Sequence, residues 1–202
     1  MMNKFLILIA GYPGTGKSYL CKMIIKDHSN FIIFSPDEVK EYFWDKYGFN
    51  NLNEKNHLIE LSWKYYYDKL NQLMKSEYNI ISDYPFSNKQ KDHLLKLINK
   101  NKYKVITIRM TANLNILFER QKSRDLDNKR HLGHILSKYN PKQKIIDRTT
   151  ADGLLSYKEF LNRCLNRGYD KFKLGDLLTI DVSDFTTAKY EELLINLNKL
   201  LD

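Results

Sequence analysis

The sequence has few cysteines and no long apolar run, and both absences exclude classes of protein. Its two cysteines, Cys21 and Cys164, lie far apart and lack metal-ligand spacing, which favours reduced thiols over a disulfide or redox pair. The first apolar run, Phe5–Ala10, is much shorter than the roughly 20 residues that cross a bilayer. It also lacks the length and cleavage site of a signal peptide. We therefore expect a cytoplasmic protein.

The composition is that of a folded, basic protein. Hydrophobic residues make up 43% of the chain and charged residues 28%, which is ordinary for a globular domain. A length of 202 residues predicts a single domain, 1–202, with a proper core. The net charge of +9 comes largely from lysines scattered along predicted helices, such as Lys96 and Lys100. We expect a phosphate-rich ligand, and nucleic acid is an alternative partner.

Short apolar runs alternate with amphipathic stretches, a pattern typical of an α/β fold with parallel strands joined by helices. The predicted strands are Lys4–Ala10, Phe31–Phe34, Asn79–Asp83, Tyr103–Met110 and Leu177–Val182. The predicted helices are Lys17–His28, Asp37–Lys46, Asn53–Glu77, Lys89–Asn101, Asn113–Arg124, Tyr157–Arg167 and Thr186–Leu201. The last has the clearest apolar stripe, formed by Leu193, Leu194, Leu197, Leu200 and Leu201.

A phosphate-binding loop follows the first predicted strand. Its pattern, G-x-x-x-x-G-K-[ST], is fulfilled by Gly11, Tyr12, Pro13, Gly14, Thr15, Gly16, Lys17 and Ser18, with Tyr19 next. The glycines allow backbone N–H groups to surround phosphate oxygens, and the helix N-terminus adds its positive dipole end. Lys17 is expected to contact the β- and γ-phosphates, and Ser18 to coordinate Mg²⁺. The chain has no N-K-x-D element of guanine-specific proteins, so ATP is favoured over GTP.

Two further acids follow predicted strands. Asp37, with Lys40 three residues beyond, comes after the second strand, where ligands of parallel sheets gather. We interpret Asp37 as the base that accepts the proton of an attacking hydroxyl and Lys40 as a substrate contact, although Asp37 also suits a helix cap. Asp83 ends the third strand, where it would hold Mg²⁺ through water or contact the acceptor.

Residues 121–150 are rich in charge and poor in apolar periodicity, and we interpret them as a lid. Arg120 and Arg124 share a helical face just before or within it, and Arg130 follows. Arginine suits forked contact with phosphate, so these three are predicted to stabilise the charge of phosphoryl transfer. His131 and His134 have no third ligand nearby, and zinc is not predicted.

These motifs, in their order, resemble the small bacterial P-loop kinases of the zeta-toxin and polynucleotide-kinase group, often labelled "AAA family ATPase". The residues that carry the resemblance are Gly11–Ser18, Ser35-x-Asp37-x-x-Lys40-Glu41, Asp45-x-x-Gly48-Phe49, Ser82-Asp83-x-x-Phe86, Arg120-x-x-x-Arg124, Arg130-His131-x-Gly133-His134 and Ile180-Asp181-Val182-Ser183-Asp184-Phe185. The resemblance implies a sheet of order 2-3-1-4-5, a lid bearing arginines and an acceptor-activating acid at Asp37. Two departures are Pro36, where members often have lysine, and Asp83, where they often have glutamate.

The expected activity is transfer of the ATP γ-phosphate to a hydroxyl group. A small metabolite, nucleoside or antibiotic is the first choice of acceptor. A 5′-hydroxyl of RNA or DNA and a nucleotide sugar are alternatives, as is a nucleotide switch or ATPase without an acceptor. The sequence leaves the acceptor and the oligomeric state open.

Overall fold

A computed structural model describes residues 4–143 and 147–202 of the chain. Within these residues the fold is a three-layer α/β/α sandwich around one five-stranded parallel sheet. Three positions of the predicted lid, 144–146, lie outside the described residues. None of the described helices combines the length and the hydropathy that a membrane crossing requires.

The sheet has the order β2-β3-β1-β4-β5, as the resemblance implied. Its strands are β1 Phe5–Gly11, β2 Phe31–Ile33, β3 Asn79–Asp83, β4 Lys104–Thr111 and β5 Asp176–Asp181. In the register, Leu6 of β1 lies opposite Ile80 of β3, and Phe5 lies opposite Lys104 of β4. Because all pairs are parallel, the carboxyl ends of the strands share one edge, where β1 leads into the phosphate-binding loop.

Seven helices connect and cover the strands in the described residues. They are α1 Lys17–Asp27, α2 Pro36–Tyr47, α3 Leu52–Lys75, α4 Asn88–Asn101, α5 Leu114–Leu126, α6 Tyr157–Asn166 and α7 Tyr190–Leu201. Six of the seven begin within one residue of the predicted start. The start of α7 was predicted four residues too early, because Asp184 accepts from the backbone N–H and hydroxyl of Thr186 and holds a turn there.

The core lies on both faces of β1, whose seven residues are all buried. Ile7 and Ile9 pack against α1 and α7, where Leu193 and Leu197 confirm the predicted apolar stripe. Leu6 and Leu8 join the opposite cluster, formed with α3 and α4. The sequence of a strand that is buried on both faces is a continuous apolar run, which explains why β1 was easy to identify.

The predicted lid segment is anchored by apolar residues of its own. Its first part, to Leu126, continues α5, and Leu132–His134 forms a short 3₁₀ turn. Ile135, Leu136 and Tyr139 then pack on Trp44, Phe49 and Leu58 of the arm formed by α2, α3 and the loop between them. Phe49 and Tyr139 also exchange backbone hydrogen bonds as an isolated antiparallel bridge. The segment therefore lies against the α2–α3 arm.

Candidate active site

The loop between β1 and α1 has the backbone needed to surround an anion. Gly16 is the N-cap of α1 at a φ of 80°, in the left-handed region that favours glycine. No side chain caps this helix end, and its first turn carries no acidic residue. The first N–H groups of α1 are therefore left for a ligand, and the helix dipole favours a negative one.

Lys17 is folded back over this loop and buried. Its Nζ donates to the carbonyl oxygens of Tyr12, at 2.8 Å, and Gly11, at 3.4 Å. Burial lowers the pKa of Lys17 to about 8; the Asp83 carboxylate opposes that shift and the Arg124 guanidinium adds to it. A phosphate chain bound in the loop would place negative charge beside Lys17 and raise its pKa again.

Ser18 and Asp83 lie together beside the loop. The Ser18 hydroxyl donates to Oδ2 of Asp83 at 2.8 Å, and Ser35 donates to the backbone oxygen of Asp83 at 3.1 Å. Asp83 is buried at the end of β3, so β1 and β3 position the pair jointly. A hydroxyl and a carboxylate oxygen are the hard ligands that Mg²⁺ prefers, and the pair fits the few protein contacts that such a site needs.

Asp37 lies in the first turn of α2 and pairs with Lys40. Lys40 Nζ donates to Asp37 Oδ1 at 3.0 Å and to the hydroxyl of Tyr84 at 2.8 Å, and its side chain is 8% exposed. Burial opposes ionisation of Asp37, but Lys40, His134 and Arg130 together hold its pKa well below the usual range. Asp37 is therefore an ionised acceptor of hydrogen bonds at neutral pH.

Lys40 lines the cavity, and its contact with a substrate stays a prediction. Its Nζ lies 4.0 Å from the ring centroid of Tyr84 and 5.4 Å from that of Trp63. The ammonium group is held between Asp37 and these rings, where it also holds the Asp37 carboxylate in place.

Arg130 brings the lid segment to α2. Its guanidinium Nη1 lies 3.9 Å from Glu41 Oε1 and its Nε 3.5 Å from Asp125 Oδ1. His134 binds the same Glu41 oxygen at 2.7 Å, and burial lowers the pKa of His134 against the opposing effect of Glu41. Arg124 is more exposed and lies 3.8 Å from Asp125. Arg130 and Arg124 therefore face the region between Lys17 and Asp37.

Arg120 is held differently from the other two arginines. Its terminal nitrogens donate to the carbonyl oxygens of Val182, at 2.6 Å, and Ser183, at 2.8 Å. Its guanidinium carbon lies 3.7 Å from the ring centroid of Phe185, which also packs against Gly16. Arg120 therefore stacks beside the loop after β5, and its guanidinium keeps N–H groups beyond the two used by these carbonyls for the predicted phosphate contact.

One cavity of about 840 Å³ joins most of the predicted residues. Its lining includes Pro13, Gly14, Gly16, Lys17, Ser18, Tyr19, Asp37, Lys40, Asp83, Arg120, Arg124 and Arg130. Gly11 and Thr15 lie behind it: Gly11 is packed against Met110, and buried Thr15 donates to the carbonyl of Tyr12. The motif residues thus converge on one space from distant parts of the chain.

Sequence reasoning missed several lining residues. Arg163 of α6 and Arg167 at its C-terminal cap reach the cavity, as do Trp44 and Lys55 of the α2–α3 arm. The four-residue spacing of the α6 arginines repeats that of Arg120 and Arg124, which was a usable signal. Lys55 carries no such signal, because its place depends on how the lid segment packs on the arm.

Comparison with known families and structures agrees with this fold. The profile described as Zeta toxin matches residues 2–151. No curated protein matches the sequence. The chain is similar to a solved structure of a putative kinase from Chloroflexus aurantiacus J-10-fl, with 20% identity and a TM-score of 0.76. That similarity covers 100% of this chain and 97% of the other.

Two further solved structures share the fold at lower similarity. A gluconokinase from Sinorhizobium meliloti 1021 has 11% identity and a TM-score of 0.54, over 96% of this chain and 90% of the other. A chain of the Pnkp1/Rnl/Hen1 RNA repair complex has 15% identity and a TM-score of 0.59, over 87% of this chain but 48% of that one. With the profile matching well over half of its residues, the chain belongs to the Zeta toxin family of P-loop kinases.

Proposed function

We propose that the protein transfers the γ-phosphate of ATP to a hydroxyl group of a small metabolite, nucleoside or antibiotic. The observation that carries this proposal is the pairing of two centres in one cavity. The phosphate-binding loop with Ser18 and Asp83 forms one centre, and the ionised Asp37 with its partner Lys40 forms the other. A protein that only hydrolysed or sensed a nucleotide would have no need of the second centre.

In the proposed reaction, the loop amides and Lys17 bind the β- and γ-phosphates. Ser18 and Asp83 would hold Mg²⁺, which supplies charge neutralisation at the phosphates when bound. Asp37 orients the acceptor hydroxyl by accepting its hydrogen bond and takes its proton as the new O–P bond forms. The low pKa of Asp37 makes it a weak base, which suits a loose transition state in which proton removal comes late.

The arginines divide into two groups in this mechanism. Arg124 and Arg130 lie near Lys17 and Asp37, and both donate to the oxygens of the transferred group. Arg120 takes part from its position beside Phe185, next to the phosphate-binding loop. Closure of the lid segment over the cavity excludes water, so that the acceptor competes successfully with hydrolysis.

Incubation with radiolabelled ATP and Mg²⁺ tests the proposal. We expect label to move from ATP to one member of a panel of sugars, sugar acids, nucleosides and aminoglycoside or phenicol antibiotics. Lys17→Ala should abolish both nucleotide binding and transfer. ATP hydrolysis that no alcohol alters, in wild-type protein that binds ATP, would contradict a kinase and favour an ATPase or switch.

A 5′-hydroxyl polynucleotide is the second candidate acceptor. The net charge of +9 favours it, as do exposed Tyr42 and Tyr65 beside Lys46 on the arm, since bases stack on such rings. A 5′-hydroxyl oligonucleotide in the same panel separates the two candidates. Transfer to that oligonucleotide in preference to every small alcohol would replace the first candidate with the second.

A further inference from the structure

The cavity carries more positive charge than a bound nucleotide accounts for. Its lining contains nine lysine and arginine side chains but four carboxylates, a surplus of five positive charges. A triphosphate that holds a divalent cation offsets only part of that surplus. Repulsion among the remaining cations would be unfavourable unless a second anion binds in the cavity.

Three of the four carboxylates already have partners. Asp37 binds Lys40, Glu41 binds His134 and lies near Arg130, and Asp83 accepts from the hydroxyl of Ser18. Asp37 and Glu41 thus offset the charge of Lys40 and Arg130 close to the reaction centre. In the part of the chain that the structure describes, none of the lining carboxylates forms an ion pair with Lys55 or Arg163.

Lys55 is one such cation, and it is fixed in place. Its Nζ donates to the carbonyl oxygen of Leu136 at 2.8 Å and lies 5.7 Å from the centre of the Trp44 ring. Burial lowers the pKa of Lys55 to about 8; Asp152 opposes that shift, and the Arg163 guanidinium adds to it. Lys55 is therefore a partly desolvated ammonium group held near a second cation.

Arg163 is that second cation. It lies on α6, is partly buried and lines the cavity, and within residues 4–143 and 147–202 it makes no ion pair with a carboxylate. The Nζ of Lys55 is held at Leu136 of the lid segment, whereas the Nζ of Lys17 is held at Tyr12 of the phosphate-binding loop. Lys55 therefore has contacts separate from those of the phosphate-binding loop.

We propose that Lys55 and Arg163 bind a negatively charged group, a phosphate or a carboxylate, on the acceptor alcohol. This inference rests on the proposed function and narrows the acceptor to an anionic one. A neutral alcohol would give the two cations no anionic partner. An anionic group on the acceptor offsets the repulsion between these cations. Binding of that group also orients the acceptor so that its hydroxyl lies at Asp37.

The test uses the full chain loaded with Mg²⁺ and a non-hydrolysable ATP analogue, titrated by calorimetry. The probes are glycerol, glycerate and glycerol 3-phosphate, which share one skeleton and differ in charge. We expect the charged probes to bind at least tenfold more tightly than glycerol, and their order to show whether the site prefers carboxylate or phosphate. Lys55→Met and Arg163→Met should each weaken binding of the preferred probe at least fivefold.

Lys96→Met is the matched control, because Lys96 is exposed on α4 outside the cavity. Equal binding of charged and neutral probes, or an equal loss in Lys96→Met, would overturn the inference. So would a loss of analogue affinity in both cavity variants, which would assign these cations to the nucleotide. Failure of the wild-type protein to bind the analogue at all would instead overturn the proposed function, so the two failures are distinguishable.

Discussion

At the scale of single residues, the site depends on side chains whose charge state is set by their surroundings. Asp37 is kept ionised by Lys40, and burial lowers the pKa of Lys17 to about 8. The sequence identified both residues as candidates, because each belongs to a motif at fixed spacing, and both line the cavity. It could not predict the Lys40–Tyr84 contact, which joins residues 44 positions apart and arises only when β3 lies beside α2.

Replacing Asp37 with asparagine should remove transfer while leaving nucleotide binding intact. Asparagine keeps the shape of the side chain but cannot accept the acceptor's proton, so we expect kcat of the Asp37→Asn variant to fall at least a hundredfold. The dissociation constant for MgATP, measured by calorimetry, should change less than threefold, since this side chain does not contact the nucleotide in the proposed scheme. Transfer at the wild-type rate would rule out the role assigned to Asp37.

Because the pKa of Asp37 lies below its usual range, the wild-type rate should not follow the titration of an ordinary carboxyl group. A depressed pKa means that the charge is present throughout mildly acidic to neutral solution and is lost only in stronger acid. We expect kcat to be flat between about pH 5 and 7. A Lys40→Met variant lacks the paired cation, so the pKa of Asp37 should rise. As the pH is lowered, the rate of this variant should therefore begin to fall at a higher pH than the rate of the wild type.

Nucleotide affinity should fall in alkaline solution because of Lys17. Its pKa is about 8 in the free protein, and the bound triphosphate would raise it. Affinity is then constant below pH 8 and decreases above it, by about tenfold between pH 7 and 9. Calorimetry at these two values measures the change. Lys17→Arg, whose guanidinium does not titrate there, is the control, and a parallel fall in that variant would count against this cause.

At the scale of elements, the central strands β1, β3 and β4 were predictable because their apolar runs are largely buried within a parallel sheet. The third strand was predicted with its observed bounds, and the others shifted by one residue at the ends. The packing of the lid segment was not predictable. Ile135, Leu136 and Tyr139 have helical spacing but lie in an irregular stretch, and they share a cluster with Trp44, Phe49 and Leu58 of the α2–α3 arm.

The contact between Gly133 and Trp44 provides a test of the lid segment. A Cβ at Gly133 would lie 2.4 Å from Trp44 Cε3, so Gly133→Ala should displace the turn that carries His134 and follows Arg130. Because displacement by about 1 Å can cost about a hundredfold in rate, we expect kcat to fall at least tenfold. Nucleotide affinity, measured by calorimetry, should change little.

The double variant Gly133→Ala, Trp44→Phe is the matching control. The smaller ring gives the new methyl group room, so part of the lost rate should return. A Gly133→Ala protein with unchanged kcat would show that the position of this turn has no effect on transfer. Equal loss in the single and double variants would show that the Trp44 contact is not the cause.

At the scale of the whole molecule, ligand binding should be visible as stability. MgATP at about 100 times its dissociation constant adds about 2.7 kcal/mol to the free energy of unfolding. For a chain of this length that corresponds to a rise in Tm of about 5–10 °C. Scanning calorimetry with and without MgATP measures it, and Lys17→Ala should show no rise. A Tm that ATP leaves unchanged in the wild type would contradict nucleotide binding.

The fold and the phosphate-binding loop could be derived from the sequence because their signals are local. The side of the cavity that we propose for the acceptor could not, because it is assembled from α2, α3, α6 and the lid segment. Trp44, Lys55 and Arg163 come from three different helices and share no spacing. Their meeting depends on tertiary packing, which is also where members of one fold vary their substrates.

The short helix α2 carries both Asp37, the proposed base, and the residues that hold the lid segment. Asp37 occupies its first turn, while Glu41 and Asp45, one and two turns later, bind His134 and His131. A movement that releases the two histidines therefore also removes His134 and Arg130 from the surroundings of Asp37. Closure of the lid segment over the acceptor and activation of the acceptor hydroxyl would then be coupled. The open form of the protein would hydrolyse ATP only slowly.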